Sequence, residues 1–155
     1  MVKLPTDLKE FIELLNSNDV EYVVVGGHAV AYHGYPRYTG DFDFFVRPSS
    51  ENAKRIIAVL QAFGFWDTAD LDSLLVTPGK VIQLGRPPNR IDILSGISGI
   101  SFEKALATRV LAELDGLTVP MIGLDALIEN KTASGRPKDQ VDVLQLKKTR
   151  DRRLS

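Results

Sequence analysis

The sequence predicts one α/β domain of the α+β kind, a mixed β-sheet flanked by helices and closed by two C-terminal helices. Three observations lead there. Short β-branched or alternating runs, Tyr22–Val25, Asp41–Val46 and Arg90–Leu94, are interleaved with segments whose apolar residues recur at helical spacing. The strongest helical segment, residues 51–63, follows Pro48-Ser49-Ser50 and precedes Gly64, a matched start and stop. A length of 155 residues, 44% hydrophobic and 25% charged, suits a single globular unit over 1–155 with its own core.

The elements follow in order. Leu8, Phe11, Ile12, Leu14 and Leu15 make the first helix, with Thr6 as its expected N-cap and residues 16–19 as its end. Tyr22–Val25 is continuous and β-branched, the pattern of a strand buried on both faces. Gly26-Gly27 ends it, and residues 28–33 read as one or two helical turns closed by Gly34. Residues 35–40 connect to the strand Asp41–Val46, and the 51–63 helix comes next. Val81–Leu84 and Arg90–Leu94 form a hairpin across residues 85–89, and Ser101 caps a short helix, Phe102–Ala107. A further strand pair, Val110–Leu114 and 117–122, turns at Asp115-Gly116. Helices at 124–133 and 137–148 close the chain, and 149–155 is expected to be a disordered, solvated tail.

Composition excludes several classes of function. The absence of cysteine removes disulfides, a thiolate nucleophile and zinc held by sulfur. No apolar run approaches the roughly 20 residues that span a bilayer, and the amphipathic N-terminus is not a signal peptide, so the expected location is cytoplasmic with no membrane partner. A net charge of -1 argues against a protein that grips nucleic acid over its whole surface. The charge is uneven, however: from Lys131 onward eight basic residues face three acidic ones.

The chemistry concentrates in VVVGGHAVAYHGYPRYTGDFDFFV, residues 23–46. Alternation places Asp41 and Asp43 on one face of a strand and Phe42 and Phe44 on the other. Two carboxylates this close repel unless a cation joins them, and hard oxygen ligands suit Mg²⁺ or Mn²⁺. Asp92, flanked by Ile91 and Ile93, becomes a third ligand, enough for two ions, if its strand lies beside the first. Gly26-Gly27, between a strand and a helix, lets backbone N–H groups approach a phosphate.

Gly26-Gly27, a gap of thirteen residues and Asp41-Phe42-Asp43-Phe44 together resemble the signature of the nucleotidyltransferase superfamily that shares its fold with DNA polymerase β. The stretch Lys131-Thr132-Ala133-Ser134-Gly135-Arg136-Pro137-Lys138-Asp139-Gln140-Val141-Asp142 is similar to a lysine, Gly-Arg and Lys-Asp-x-x-Asp pattern of its bacterial AbiEii-type branch. The resemblance implies a nucleotidyltransferase-like fold and transfer of NMP from an NTP to a hydroxyl on RNA, protein or a small molecule. In it, Asp41, Asp43 and Asp92 would hold two Mg²⁺ or Mn²⁺ ions, and Asp92 would help deprotonate the acceptor. Gly26 and Gly27 would pack against the triphosphate, Lys131 would meet a phosphate, and Asp139 would orient Lys131 or touch the nucleotide. The second glycine stands where many relatives carry serine.

Arg37 and Thr39, in the connection before the second strand, could reach the triphosphate. His28 and His33 read as packed side chains, Trp66 as a core or rim aromatic, and Asp142 as a partner for Lys138 or Arg136. The same residues also leave open a nucleotide- or partner-binding module without turnover, such as one half of a toxin–antitoxin pair with its protein partner encoded nearby, and a metal-dependent phosphohydrolase.

Overall fold

The structure is a computed structural model that describes residues 3–37 and 39–154. Its elements run α1 (Thr6–Ser17), β1 (Tyr22–Val25), α2 (Gly26–Tyr32), β2 (Asp41–Val46), α3 (Ser50–Phe63), α4 (Leu71–Val76), β3 (Val81–Leu84), β4 (Arg90–Leu94), α5 (Phe102–Ala107), β5 (Val110–Leu114), β6 (Leu117–Met121), α6 (Leu124–Ser134) and α7 (Pro137–Leu154). The strands form one six-stranded sheet in the order β3-β4-β2-β1-β6-β5. Pairs β1/β2, β3/β4 and β5/β6 are antiparallel, whereas β2/β4 and β1/β6 are parallel. The sheet is therefore mixed, as the residue pattern predicts.

Period-two alternation on β2 divides its aromatic residues between two cores. Phe44 points to the face covered by α1 and α3, with ring centroids 5.3 Å from Phe11 and 5.7 Å from Tyr22. Phe63 at the end of α3 completes this cluster, 5.3 Å from Phe11. Phe45 points the opposite way and meets Phe102 of α5 at 5.2 Å. Asp41 and Asp43 share the Phe45 face, at the end of β2 that α5 leaves uncovered. Burying the aromatic residues on both sides clamps β2, so the direction of its carboxylates is set by packing.

Start and stop signals hold for α3. Ser49 accepts a hydrogen bond from the Asn52 amide, and Gly64 follows in the left-handed region at φ 110°. At α1 the structure corrects the expectation: Pro5 occupies the N-cap, and Thr6 is already helical. The proline supplies the carbonyl that Lys9 N–H reaches at 2.9 Å, so the chain turns into the helix one residue early. Helix α4 was not anticipated, because six residues with one buried side chain, Leu75, are too short to show a period. Trp66 is 80% exposed, which overturns the core reading of that residue. It lies in the connection between α3 and α4, outside the sheet's two cores.

Over 149–154 the expected disordered tail is instead helical, since α7 runs without a break to Leu154, although residues 151–154 are exposed; Ser155 lies outside the described residues. Thr149 is buried, and a Cβ added at Gly34 would stand 3.2 Å from its methyl group, so this turn of α7 packs closely on the end of α2. Arg150 pairs with Asp125 of α6 at 3.6 Å. Basic side chains on the solvated side hid from the sequence a face that is in contact.

Asn52 pins the sheet to α3. Fully buried, it accepts from Glu21 N–H at 2.8 Å and donates to the carbonyls of Glu21 and Arg47 at 3.0 and 3.1 Å. Those residues flank the start of β1 and the end of β2. Asn52→Leu leaves the Glu21 N–H unpaired and takes one of two hydrogen bonds from each of the Glu21 and Arg47 carbonyls, which still accept from Arg47 and Ser49 N–H, and urea unfolding should show a loss of about 2 kcal/mol.

Candidate active site

Parallel pairing of β2 with β4 creates the site. Asp43 is in register with Asp92, and Asp41 with Arg90, so all four side chains emerge from one face. One oxygen from each of Asp41, Asp43 and Asp92 lies within 4.8 Å of the others. The sequence placed Asp92 beside the pair only on condition that the strands neighbour, and they do. Three carboxylates are hard oxygen donors of the kind that Mg²⁺ and Mn²⁺ take, so this group fits a divalent metal.

Electrostatics shows the strain of that arrangement. Burial, and then the charges of Asp41 and Asp92, push the Asp43 carboxyl up to about 7. Burial acts upward on Asp41 too, but hydrogen bonding with Asp92, Arg90 and Thr39 outweighs it and holds Asp41 below the ordinary carboxylate range. Thr39 Oγ1 lies 3.4 Å from Asp41 Oδ1 and 3.1 Å from its backbone carbonyl. The counter-charge comes from Arg90. Its Nε and Nη2 donate to the two oxygens of Asp92 at 2.8 and 3.1 Å, and Nη2 also reaches Asp41 Oδ2 at 3.1 Å. Sequence reasoning missed Arg90, although the same alternation that aligned Asp41 with Asp43 puts it on the face of Asp92.

Gly26 and Gly27 serve close approach. Gly26 sits at φ +73°, and a Cβ there would lie 2.0 Å from Asp43 Oδ2. At Gly27 a Cβ would fall 2.8 Å from the Thr39 side chain. Backbone thus comes up against the carboxylates where any side chain would fill the space.

Opposite the sheet stands a cluster from α6 and α7. Lys131 is buried, its Nζ 2.9 Å from Asp139 Oδ1 and 3.3 Å from Asp142 Oδ2. Asp139 is fully buried, and its second oxygen accepts from Ser134 and, at 2.7 Å, from Arg136. Burial alone would raise the Asp139 carboxyl, but Ser134, Lys131 and Arg136 hold it down at about 2. This contact with Lys131 is the one that an orienting role for Asp139 would require. Asp142 differs from expectation: besides Lys131 it pairs with Arg37, whose Nε and Nη2 meet its two oxygens at 3.0 and 2.9 Å. That fork ties the connection before β2 to α7, because α7 folds back over the end of α2.

A cavity of about 620 Å³ joins these groups, lined by Gly26, Gly27, Arg37, Thr39, the three aspartates, Arg90, Lys131 and Asp139. Every site residue expected from the sequence therefore faces one space. Ser134, Arg136, Lys138 and Asn130 line it as well, as does Gln83. The histidines stay outside it. His28 packs on Phe42 with centroids 4.2 Å apart, and His33 is buried with Nε2 2.7 Å from the Ile122 carbonyl oxygen. Burial holds both imidazoles below their ordinary range.

A carboxylate cluster beside a glycine-lined backbone approach is a geometry suited to holding a cation against a phosphate. Residues 5–154 match the family described as Nucleotidyl transferase of unknown function (DUF2204), so the chain belongs to that nucleotidyltransferase family. Among solved structures, it is similar to the lincosamide antibiotic adenylyltransferase LnuA bound to lincomycin, with TM-score 0.59 and 16% identity, covering 95% of this chain and 98% of that one. It is also similar to ANT(2")-Ia in complex with adenylyl-2"-tobramycin, with TM-score 0.55, 13% identity and coverage of 90% and 84%. An antigenic nucleotidyltransferase-like protein from Paracoccidioides brasiliensis gives TM-score 0.53, 14% identity and coverage of 90% and 74%. At such identities the likeness is one of fold. No curated protein matches in sequence. The finer likeness to the AbiEii-type branch rests on the motif from Lys131 to Asp142 alone. Among the described residues no helix is long and apolar enough to cross a membrane.

The raised Asp43 gives the site a pH signature. A cation held by the trio would have to displace the proton that Asp43 keeps below about 7, so apparent Mg²⁺ or Mn²⁺ affinity should rise with pH up to that value and level off above it. Calorimetric titration with Mn²⁺ from pH 5.5 to 8.5 checks this; an affinity flat across that range would contradict it.

Proposed function

We propose that the protein is a metal-dependent nucleotidyltransferase that transfers NMP from an NTP to a hydroxyl acceptor and releases pyrophosphate. The observation that carries this reading is the convergence of Asp41, Asp43 and Asp92 within 4.8 Å, next to the backbone of Gly26. It is supported by the family match and by the adenylyl transfer named for two proteins of the same fold.

Bound Mg²⁺ or Mn²⁺ would supply Lewis-acid charge at the α-phosphate and the leaving pyrophosphate. The chain's own residues do the rest. Asp41, Asp43 and Asp92 would hold the cations, and Asp92, on the strand of the trio nearer the β3 edge of the sheet, accepts the acceptor's proton. Gly26 and Gly27 admit the triphosphate against the backbone, with Thr39 beside them. Lys131 offers positive charge from the facing wall, and Asp139 and Asp142 keep its ammonium in place. Arg37 acts through Asp142, holding the connection before β2 against α7. Arg90 neutralises the carboxylates and holds Asp92 and Asp41 in a common orientation.

Incubation of the protein with each α-labelled NTP, Mg²⁺ and cell extract should release pyrophosphate and label an acceptor. Asp41→Asn and Asp43→Asn should each remain folded and lose at least about a thousandfold in rate. Absence of nucleotide-dependent pyrophosphate release with every NTP would refute the reading.

A further inference from the structure

The walls of the cavity differ in chemistry, and the difference bears on the acceptor. The α6–α7 wall is cationic, with Lys131, Arg136 and Lys138. On the sheet side, beyond Asp92, the register continues outward to Gln83 of β3, and the next row pairs Leu94 with Val81. Val81 is 49% exposed and Leu94 half-buried, and both line the cavity together with Ile97 and Ser98. Asn130 of α6 donates to the Ser98 carbonyl at 2.9 Å and closes this end. The result is an apolar shelf with neutral polar groups on its rim, directly beside Asp92. Apart from the three metal-site aspartates and the fully buried Asp139, no carboxylate among the described residues lines the cavity.

Building on the proposed transferase reading, we infer that the shelf of Val81, Leu94 and Ile97 seats the acceptor, and that the acceptor is a small uncharged hydroxyl compound with an apolar face. Three physical arguments converge. Exposed aliphatic side chains inside a polar cavity gain by covering an apolar surface, and Gln83 and Ser98 can hydrogen-bond neutral hydroxyls at its edge. A polycationic acceptor would sit next to Arg90 and the bound divalent ions with no carboxylate to pair with. An RNA acceptor would need cations along its backbone, but Arg90 on the sheet side is already engaged by Asp92 and Asp41, and Lys131, Arg136 and Lys138 stand on the opposite wall, where the triphosphate fits.

Charge and atoms balance. The acceptor O–H gives its proton to Asp92, the oxygen bonds to the α-phosphorus, and the bond from that phosphorus to the bridging oxygen breaks. Pyrophosphate leaves with the electron pair, and a phosphodiester joins acceptor and nucleoside.

The test uses the full chain with Mg²⁺ and the α-labelled NTPs. It offers a panel of uncharged aryl and alkyl glycosides, a polyamino sugar and a short RNA with a free 3′-hydroxyl. Label should enter one or more glycosides, and Val81→Glu, at an exposed position that tolerates charge, should raise the glycoside KM at least about tenfold, with a smaller effect on kcat. Labelling of the polyamino sugar or the RNA in preference to every glycoside would overturn the inference. So would pyrophosphate release with no glycoside labelled, or a Val81→Glu protein with unchanged glycoside KM. A complete lack of nucleotide-dependent pyrophosphate release would instead refute the transferase reading on which the shelf depends.

Discussion

Parallel pairing of β2 with β4 is the constraint on which the rest of this protein depends. It sets Asp43 against Asp92 and Asp41 against Arg90, and so gathers like charges that an isolated strand would keep apart. Such crowding costs folding free energy, visible in the Asp43 carboxyl held up at about 7. The fold withstands that cost because Phe44 and Phe45 lock β2 into hydrophobic clusters on both faces of the sheet. Arg90 offsets part of it, and the remainder is what the proposed divalent cation would relieve.

The surrounding parts make sense as adjustments to that centre. Glycine at 26 lets backbone pass within touching distance of Asp43, where even a methyl group would collide. The α6–α7 wall presents one lysine between two carboxylates, a buried arrangement whose worth lies in position more than in stability. Arg37 then couples this wall to the connection entering β2, so both halves of the cavity are joined through Asp142.

Much of this was legible in the sequence, for physical reasons that also explain the gaps. Strands carry a period of two, so the common face of Asp41 and Asp43 could be read directly, and the caps Ser49, Gly64 and Ser101 marked helix ends correctly. Contacts between residues far apart in the chain could not be read. Nothing local in Arg37 announces Asp142, 105 residues away, and the packing of Thr149 on Gly34 is invisible in a run of basic residues. Arg90 was recoverable by the alternation applied to β2, but a cation among expected metal ligands contradicts the simple pattern. The shelf beside Asp92 depends on knowing that β3 is an edge strand, a property of topology rather than of composition.

The central claim, that the three aspartates are held together at a cost which a divalent cation repays, has a direct thermodynamic test. With its pKa raised in the fold, Asp43 contributes stability below its ordinary carboxylate range that is lost as pH rises through about 7. Thermal unfolding of the native and Asp43→Asn proteins should be compared at pH 8, with and without Mn²⁺. The account predicts that the variant is the more stable without metal, and that Mn²⁺ raises the Tm of the native protein much more than that of the variant. A native protein already more stable than Asp43→Asn without metal, or an equal Mn²⁺ effect on both, would contradict it.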